Sequence, residues 1–408
     1  MRYRDRHRNE GAVILRVVCA LAFLSFTFCW LYFFQGDMLA VAQHGLSGGK
    51  THYNCAVGAV ICTSVLFGLH LLVYAMTRLT RRTHALTYFP SMLLLAFLSC
   101  VSSPFRWGAW LWAGPLALVL WGGAVWLSKQ MMPVGDEGRK PVALFSRVTW
   151  INLLQLALMM IGVALVSNTN AVQHFRAHAE SALMEGDVDE ALRVGERSLE
   201  TDESLTMLRI FALSQKGQLA DRLFEYAVSG TSADMLPMQG SKSTLLLMPD
   251  TLLWKHFGVS HDSIMARCDS TWQPDSVAGR VYTGRSALAD RFDVKQYLDV
   301  LERDTMSSPA WRDYRLMGQL IDRRIDTFVV CLPRYYTMEA DSLPRHYREA
   351  LVLYQQIVDT LFIYRDSLML NRWEEFHAND SIYPKPSERK IRTEEQFRGT
   401  YWYYYFFQ

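Results

Sequence analysis

Apolar and polar positions divide this chain into two regimes. Up to residue 167 the apolar positions form unbroken runs of about the length that crosses a bilayer. Beyond it they recur at helical spacing among charged residues. The runs cover residues 12–34, 54–76, 86–103, 107–128 and 149–167, and they predict five membrane helices. Ala12–Phe34 is too long for the core of a secretory signal and reads as an uncleaved helix, with Arg16 near its basic end snorkelling to the interface. Trp107, Trp110, Trp112, Trp121 and Trp126 gather towards the ends of the fourth run, as interface anchors do. The third run is the weakest of the five; without it the remainder of the chain would change sides.

The remainder is a tail over residues 168–408. After a short polar joint, Asn168–Ala171, residues 173–228 predict four short helices. Gly186 ends the first, Asp187 caps the second, whose apolar positions run to Leu199, and Ser204 caps the third, which ends at Lys216 and Gly217. Helical pairing returns at Val294–Arg303, Trp311–Cys331 and Leu343–Met369, the last capped by Ser342. Residues 370–400, with Pro384 and Pro386, read as irregular. Seven of the last eight residues, Tyr401–Gln408, are aromatic, and such a run is expected to be buried on the tail.

Charge adds a direction. The segment up to residue 166 holds 14 Lys/Arg against 5 Asp/Glu, and the rest holds 28 against 35. The basic residues lie at the ends of the runs and form no surface stripe, so no nucleic-acid partner is expected. Arg2, Arg4, Arg6, Arg8, Arg78, Arg81, Arg82, Lys129, Arg139, Lys140 and Arg147 flank one side of the five runs, and only Lys50 and Arg106 flank the other. That bias predicts a cytoplasmic N-terminus, five crossings and an extracytoplasmic tail. Apart from Arg16, the runs contain no Asp, Glu, Lys or Arg, which argues against an ion-coupled pore.

Candidate chemistry is sparse. Asp37, in the first outer loop Gln35–His52, is a weak catalytic candidate, because an acidic residue there resembles the carboxylate that serves lipid-linked sugars in membrane glycosyltransferases. A solvated charge at a helix end accounts for it as well. His174 and His178 have metal-ligand spacing with Glu180 nearby, but no third ligand lies in register. Gly240-Ser-Lys242 fails the spacing of a phosphate loop. Cys268 and Cys331 are the two cysteines of the tail and are within reach of a disulfide if the compartment is oxidising. No cofactor and no metal are expected. Ten of the 20 tail aspartates precede Ser or Thr, for example Asp262-Ser263-Ile264 and Asp380-Ser381-Ile382. These triplets resemble acceptor sites for O-linked glycans on exported bacteroidete-type proteins. Helix capping competes as an explanation, although Asp359 and Asp366 are expected in mid-helix.

Gly186-Asp-Val-Asp-Glu-Ala191-Leu192 resembles the turn and second helix of a tetratricopeptide repeat, and Gly217 follows at 31 residues. The usual aromatic and the closing proline of that repeat are missing. Phe33-Phe34-Gln35-Gly36-Asp37, LFEY at 223–226, LLLMPDTLLWKHFGV at 245–259 and LPRHYREALVLY at 343–354 together resemble an uncharacterised family of bacteroidete-type multi-pass membrane proteins with repeat-like tails. The family implies no activity. The expectation is an all-α protein, with a five-helix transmembrane domain (1–167) and a helical, tetratricopeptide-like extracytoplasmic domain (168–408). Its expected place is the bacterial inner membrane, with the bilayer and a protein at the periplasmic face as partners. The expected function is a membrane-anchored envelope scaffold, more an interaction protein than an enzyme. The alternative is a component of a membrane glycosyltransferase or lipid-linked-sugar system.

Overall fold

A computed structural model describes residues 2–47, 50–79, 81–100, 104–130, 146–237, 244–247, 253, 256–258, 293–304, 307–339, 342–358 and 362–408. Among the described residues the fold is all-helical, without strands. It divides into two compact units, Met1–Asn170 and Ala171–Gln408.

The first unit is built from α1 (Arg2–Cys29), which continues through a π-helical turn at Trp30–Phe34, α2 (Gly36–Ser47), α3 (Cys55–Thr77), a 3-10 segment (Arg81–Tyr88) leading directly into α4 (Phe89–Leu98), α5 (Pro104–Gln130) and α6 (Arg147–Val166). Among the described residues, four helical stretches are long and apolar enough to cross a membrane: Val13–Phe34, Cys55–Thr77, Trp110–Gln130 and Arg147–Val166. The expected third run is shorter, an apolar stretch at Thr83–Leu98. Local chemistry sets the boundaries. The Asn54 side chain accepts from Val57 N to start α3, Arg78 at φ 47° ends it, and Ser146 caps α6. The segment expected as the first outer loop, Gln35–His52, is largely α2, with Asp37 in its first turn. The linear pattern concealed it, because a short helix beginning at a glycine directly after a crossing has no separate apolar run.

The short stretch is the centre of this unit. Ala85, Thr87, Tyr88, Ser91 and Leu95 are fully buried, whereas Leu111, Trp112, Val119 and Leu120 of α5 are exposed. Hydrogen bonds fix which levels of the bundle it touches. Near its start, Ala85 N donates to Asn152 Oδ1 (2.7 Å) in the second turn of α6, and Ser128 Oγ donates to Thr83 Oγ1 (2.8 Å). Midway, Ser91 Oγ donates to Leu66 O (2.8 Å). Just past its end, Trp30 Nε1 donates to Ser99 Oγ (2.9 Å), Cys100 Sγ to Val166 O (3.0 Å) and Asn168 N to Ser99 O (3.1 Å). The stretch therefore starts level with the start of α6 and finishes level with its end. The 3-10 turns make this possible, since they rise about 2.0 Å per residue against about 1.5 Å in an α-helix.

The second unit comprises α7 (Ala171–Glu185), α8 (Val188–Arg193), α9 (Glu203–Gln215), α10 (Leu219–Arg222), α11 (Val294–Arg303), α12 (Trp311–Ile321), α13 (Ile325–Cys331), α14 (Arg345–Ile357), α15 (Ser367–Ile382), α16 (Pro386–Phe397) and α17 (Tyr401–Phe407). The first four match the expected helices. Gly186 takes φ +84°, and Asp187 accepts from Glu190 N (2.9 Å). Three details differ. The second helix stops at Arg193, with Gly195 at φ +62° and Leu199 exposed. Asp202, not Ser204, caps α9, because its carboxylate reaches Leu205 N at 2.7 Å. Ser342 does not cap α14; Asp221 of α10 does so from across the fold, accepting from Arg345 N at 2.7 Å.

Residues 370–400 are helical rather than irregular, as α15 and α16. Pro386 sits in the first turn of α16, where its missing N–H costs nothing. A large core joins residues from α8 to α17, and a smaller cluster packs α7, α8 and α9 together. α14 runs through the large core, with Tyr347, Ala350, Leu351, Val352 and Leu353 fully buried. The terminal aromatic run forms α17 and is packed on this core, with Tyr401 and Trp402 fully buried. Gly399 at φ +96° makes the turn into it.

Candidate functional site

The residues singled out in the sequence are scattered. Asp37 is half-buried at the start of α2. On α7, His178 Nε2 lies 3.4 Å from Glu190 Oε1, while Glu180 turns inward. The Glu180 carboxylate is fully buried and accepts from three successive backbone amides, Leu245 N (2.8 Å), Leu246 N (2.6 Å) and Leu247 N (3.0 Å). Burial raises its pKa against those N–H groups and against Arg176. It therefore anchors an irregular segment and does not join the two histidines. The Gly240-Ser-Lys242 motif and Cys268, with its expected disulfide, lie outside the described residues; Cys331 is a half-buried free thiol on α13.

The described Asp-Ser/Thr pairs have varied roles. Asp366, expected in mid-helix, is the N-cap of α15, accepting from Met369 N (3.1 Å) and from Arg348 Nε (2.7 Å). The expected helix is interrupted after Ile357 and restarts at Ser367, so the position is a helix start. Thr327, Ser367 and Ser381 are exposed. Asp359 and six others of the ten sites have at least one residue outside the described set.

Two buried polar clusters were not foreseen. The first lies in the second unit, where α10, α12, α14 and α17 meet. Phe224 N donates to His346 Nε2 (3.4 Å), so the imidazole proton resides on Nδ1 and is donated to Glu349 Oε2 (2.9 Å). Glu349 also accepts from Arg345 Nε (2.9 Å) and Tyr401 N (2.7 Å), and its own carbonyl accepts from Trp402 Nε1 (2.7 Å). Burial pushes the Glu349 carboxyl up, but His346, Arg345 and the Tyr401 amide outweigh it and hold the group below its ordinary value. Nearby, Asp313 accepts from Tyr336 (2.7 Å) and Tyr347 (2.8 Å) hydroxyls, and burial raises its pKa despite them. Phe224 closes the cluster by stacking on Tyr404 at 4.6 Å. The arrangement clamps α17 to α14.

The second cluster lies inside the first unit, around His70 of α3 and His84 of the 3-10 segment, both buried. His70 stacks on Tyr88 at 3.6 Å and 6°. The Thr87 hydroxyl donates to His84 O (2.7 Å), so its oxygen accepts from His70 Nδ1 (3.2 Å), which fixes the His70 tautomer. His84 is edge-on to His70 (5.8 Å), Tyr74 (5.3 Å) and Tyr88 (5.8 Å). The Arg16 guanidinium covers the other partner, 4.9 Å above the Tyr74 ring. A scan of the runs for Asp, Glu, Lys and Arg passes over such a pair. Counting histidine in the runs would have found His70 alone, because His84 lies between the second and third runs.

No curated protein and no solved structure matches this chain. Residues 251–408, the part of the second unit that holds α11 to α17 and the Glu349 clamp, match the model of a family of unknown function, DUF6057.

Proposed function

We propose that the protein is a membrane-anchored scaffold of the bacterial envelope, multi-pass in the inner membrane, which binds a protein partner through its helical tail on the periplasmic side. The observation that carries this reading is the architecture of the second unit. Most of its helices share one core with residues from Leu192 to Tyr404, and a smaller cluster packs α7, α8 and α9 together, on the same chain as a bundle of apolar helices. Stacked helices of this kind offer long binding surfaces. The paired helices α7 to α10, turned at Gly186 and Gly217, support a tetratricopeptide-like reading of its start.

Five crossings are part of the proposal. Support comes from the level hydrogen bonds at both ends of Thr83–Leu98 and from the eleven-to-two distribution of basic residues. At about 2.0 Å per residue for 83–88 and about 1.5 Å for 89–98, the stretch reaches roughly 27 Å, close to a hydrocarbon core of about 30 Å. Alkaline phosphatase fused after Gln408 is then active, and a cytoplasmic-only reporter at the same place is silent; the opposite pair of results means four crossings and a cytoplasmic tail.

The scaffold itself is tested by photo-crosslinking in native membranes from exposed positions such as Val330, Ile363 and Leu368. A specific partner is captured from one face and lost when that face is charged. An Asp37→Asn strain run in parallel separates the alternative role in handling lipid-linked sugar. A defect in that strain with no captured partner reverses the ranking.

A further inference from the structure

The histidine cluster of the first unit carries an inference about regulation. His84 Nε2 and the Tyr88 hydroxyl are buried and have no hydrogen-bond partner among the described residues. A buried orphan in an apolar bundle is costly, and each one in a native fold calls for an explanation. The two belong to rings in contact with each other and with His70. His70 differs, because its Nδ1 proton is committed to Thr87 and its face to Tyr88. His84 is thus the one member of the pair whose ring nitrogen is shown without a partner.

We propose that His84 is a proton-binding site inside the membrane bundle, and that its protonation loosens the Thr83–Leu98 stretch from α1 and α3. The groups facing it set the response. From α1 come Arg16, which lies over Tyr74, and Cys19, which lies beside Tyr88. From α3 come His70 and Tyr74, and from its own stretch Tyr88. From α5 and α6 the bonded groups are Trp121, Ser128 and Asn152, none of which titrates near neutrality. No carboxylate is among these neighbours. An imidazolium at His84 therefore adds a second positive charge beside Arg16 with no counter-charge, at low local dielectric. Separation of the 3-10 segment from α1 and α3 relieves it. The stretch that moves is the one at the centre of the bundle, so one proton acts on several helices.

Cys19 is a built-in reporter, since it is fully buried, while Cys29 on the same helix is exposed. Full-length protein in lipid nanodiscs is labelled with N-ethylmaleimide, and the Cys19-to-Cys29 ratio is read by peptide mass spectrometry. The ratio rises roughly tenfold between about pH 7 and about pH 4 in the wild type as the segment opens. It stays flat in His84→Gln, and in Arg16→Gln the rise begins at higher pH because the opposing cation is gone. A flat wild-type ratio, or a rise that persists in His84→Gln, overturns the proposal. Should His84→Gln fail to fold, hydrogen–deuterium exchange at the histidine ring carbon of the wild type reads the same site. Absence of a His84 titration step between about pH 8 and about pH 4 then overturns it.

Discussion

Single charged side chains decide whether distant segments of this protein hold together. Glu349 is the clearest case, since it ties α14 to α17 through the Tyr401 amide while His346 and Arg345 of its own helix hold its carboxylate. Its folded pKa is depressed below an unfolded value of about 4.3. Between those two values the unfolded chain binds more protons, so stability rises with pH there. The contribution is complete above about pH 4.3 and disappears as pH falls through the folded value. Thermal unfolding of Glu349→Gln should show a shallower acid limb and, near neutrality, a loss of about 1–3 kcal/mol. An unchanged acid limb would sink the assignment. Glu180 makes a second test. Glu180→Ala leaves the Leu245, Leu246 and Leu247 amides without their acceptor. The expected cost is about 2–4 kcal/mol, with faster amide exchange confined to that segment.

At the scale of elements, α17 and the Thr83–Leu98 stretch show opposite relations between sequence and fold. The aromatic run was legible as something that must be covered, because seven adjacent aromatic residues leave no polar face. What covers it was not legible. Its partners are Phe224, Ile321, Glu349 and Trp373, up to 180 positions away in the chain. Trp402→Ala should cost about 3–5 kcal/mol, as for other buried aromatic truncations, and release Tyr401 to solvent quenchers. The short stretch shows the opposite: its apolar run was legible at 86–103, but the helix it forms runs over Thr83–Leu98. A length rule for α-helices overestimates how many residues a segment with 3-10 turns needs. Asn152 holds its start, with Oδ1 on Ala85 N and Nδ2 on Val148 O. Asn152→Leu orphans the Ala85 amide and should destabilise the detergent-solubilised protein by about 0.6–2 kcal/mol. A neutral result would mean that the stretch is held by packing alone.

For the whole molecule, two compact units on one chain predict separable folding. The core of the second unit closes on itself, from Leu192 to Tyr404. A fragment of residues 168–408 should therefore be helical by circular dichroism and unfold cooperatively. A gradual, non-cooperative melt would show that the second unit needs the first. The same division explains why the polar network around Glu349 escaped the reading of the sequence. His346 and Glu349 look like surface residues on one helix face, since their partners Phe224 and Tyr401 are supplied from other parts of the chain.

Sequence alone determined what depends on local composition: the all-helical class, four of the membrane-length helices, the change from apolar bundle to polar tail, and caps such as Asp187 whose partners are three residues away. Tertiary structure decided what depends on meeting across the chain. It gave α14 its cap from Asp221, made Asp366 a helix start, turned residues 370–400 into two helices, and brought His70 and His84 together from two segments. The physical reason is the same in each case. Helix formation and capping are read within a few residues, whereas burial of a charge or a ring requires partners that only the fold assembles.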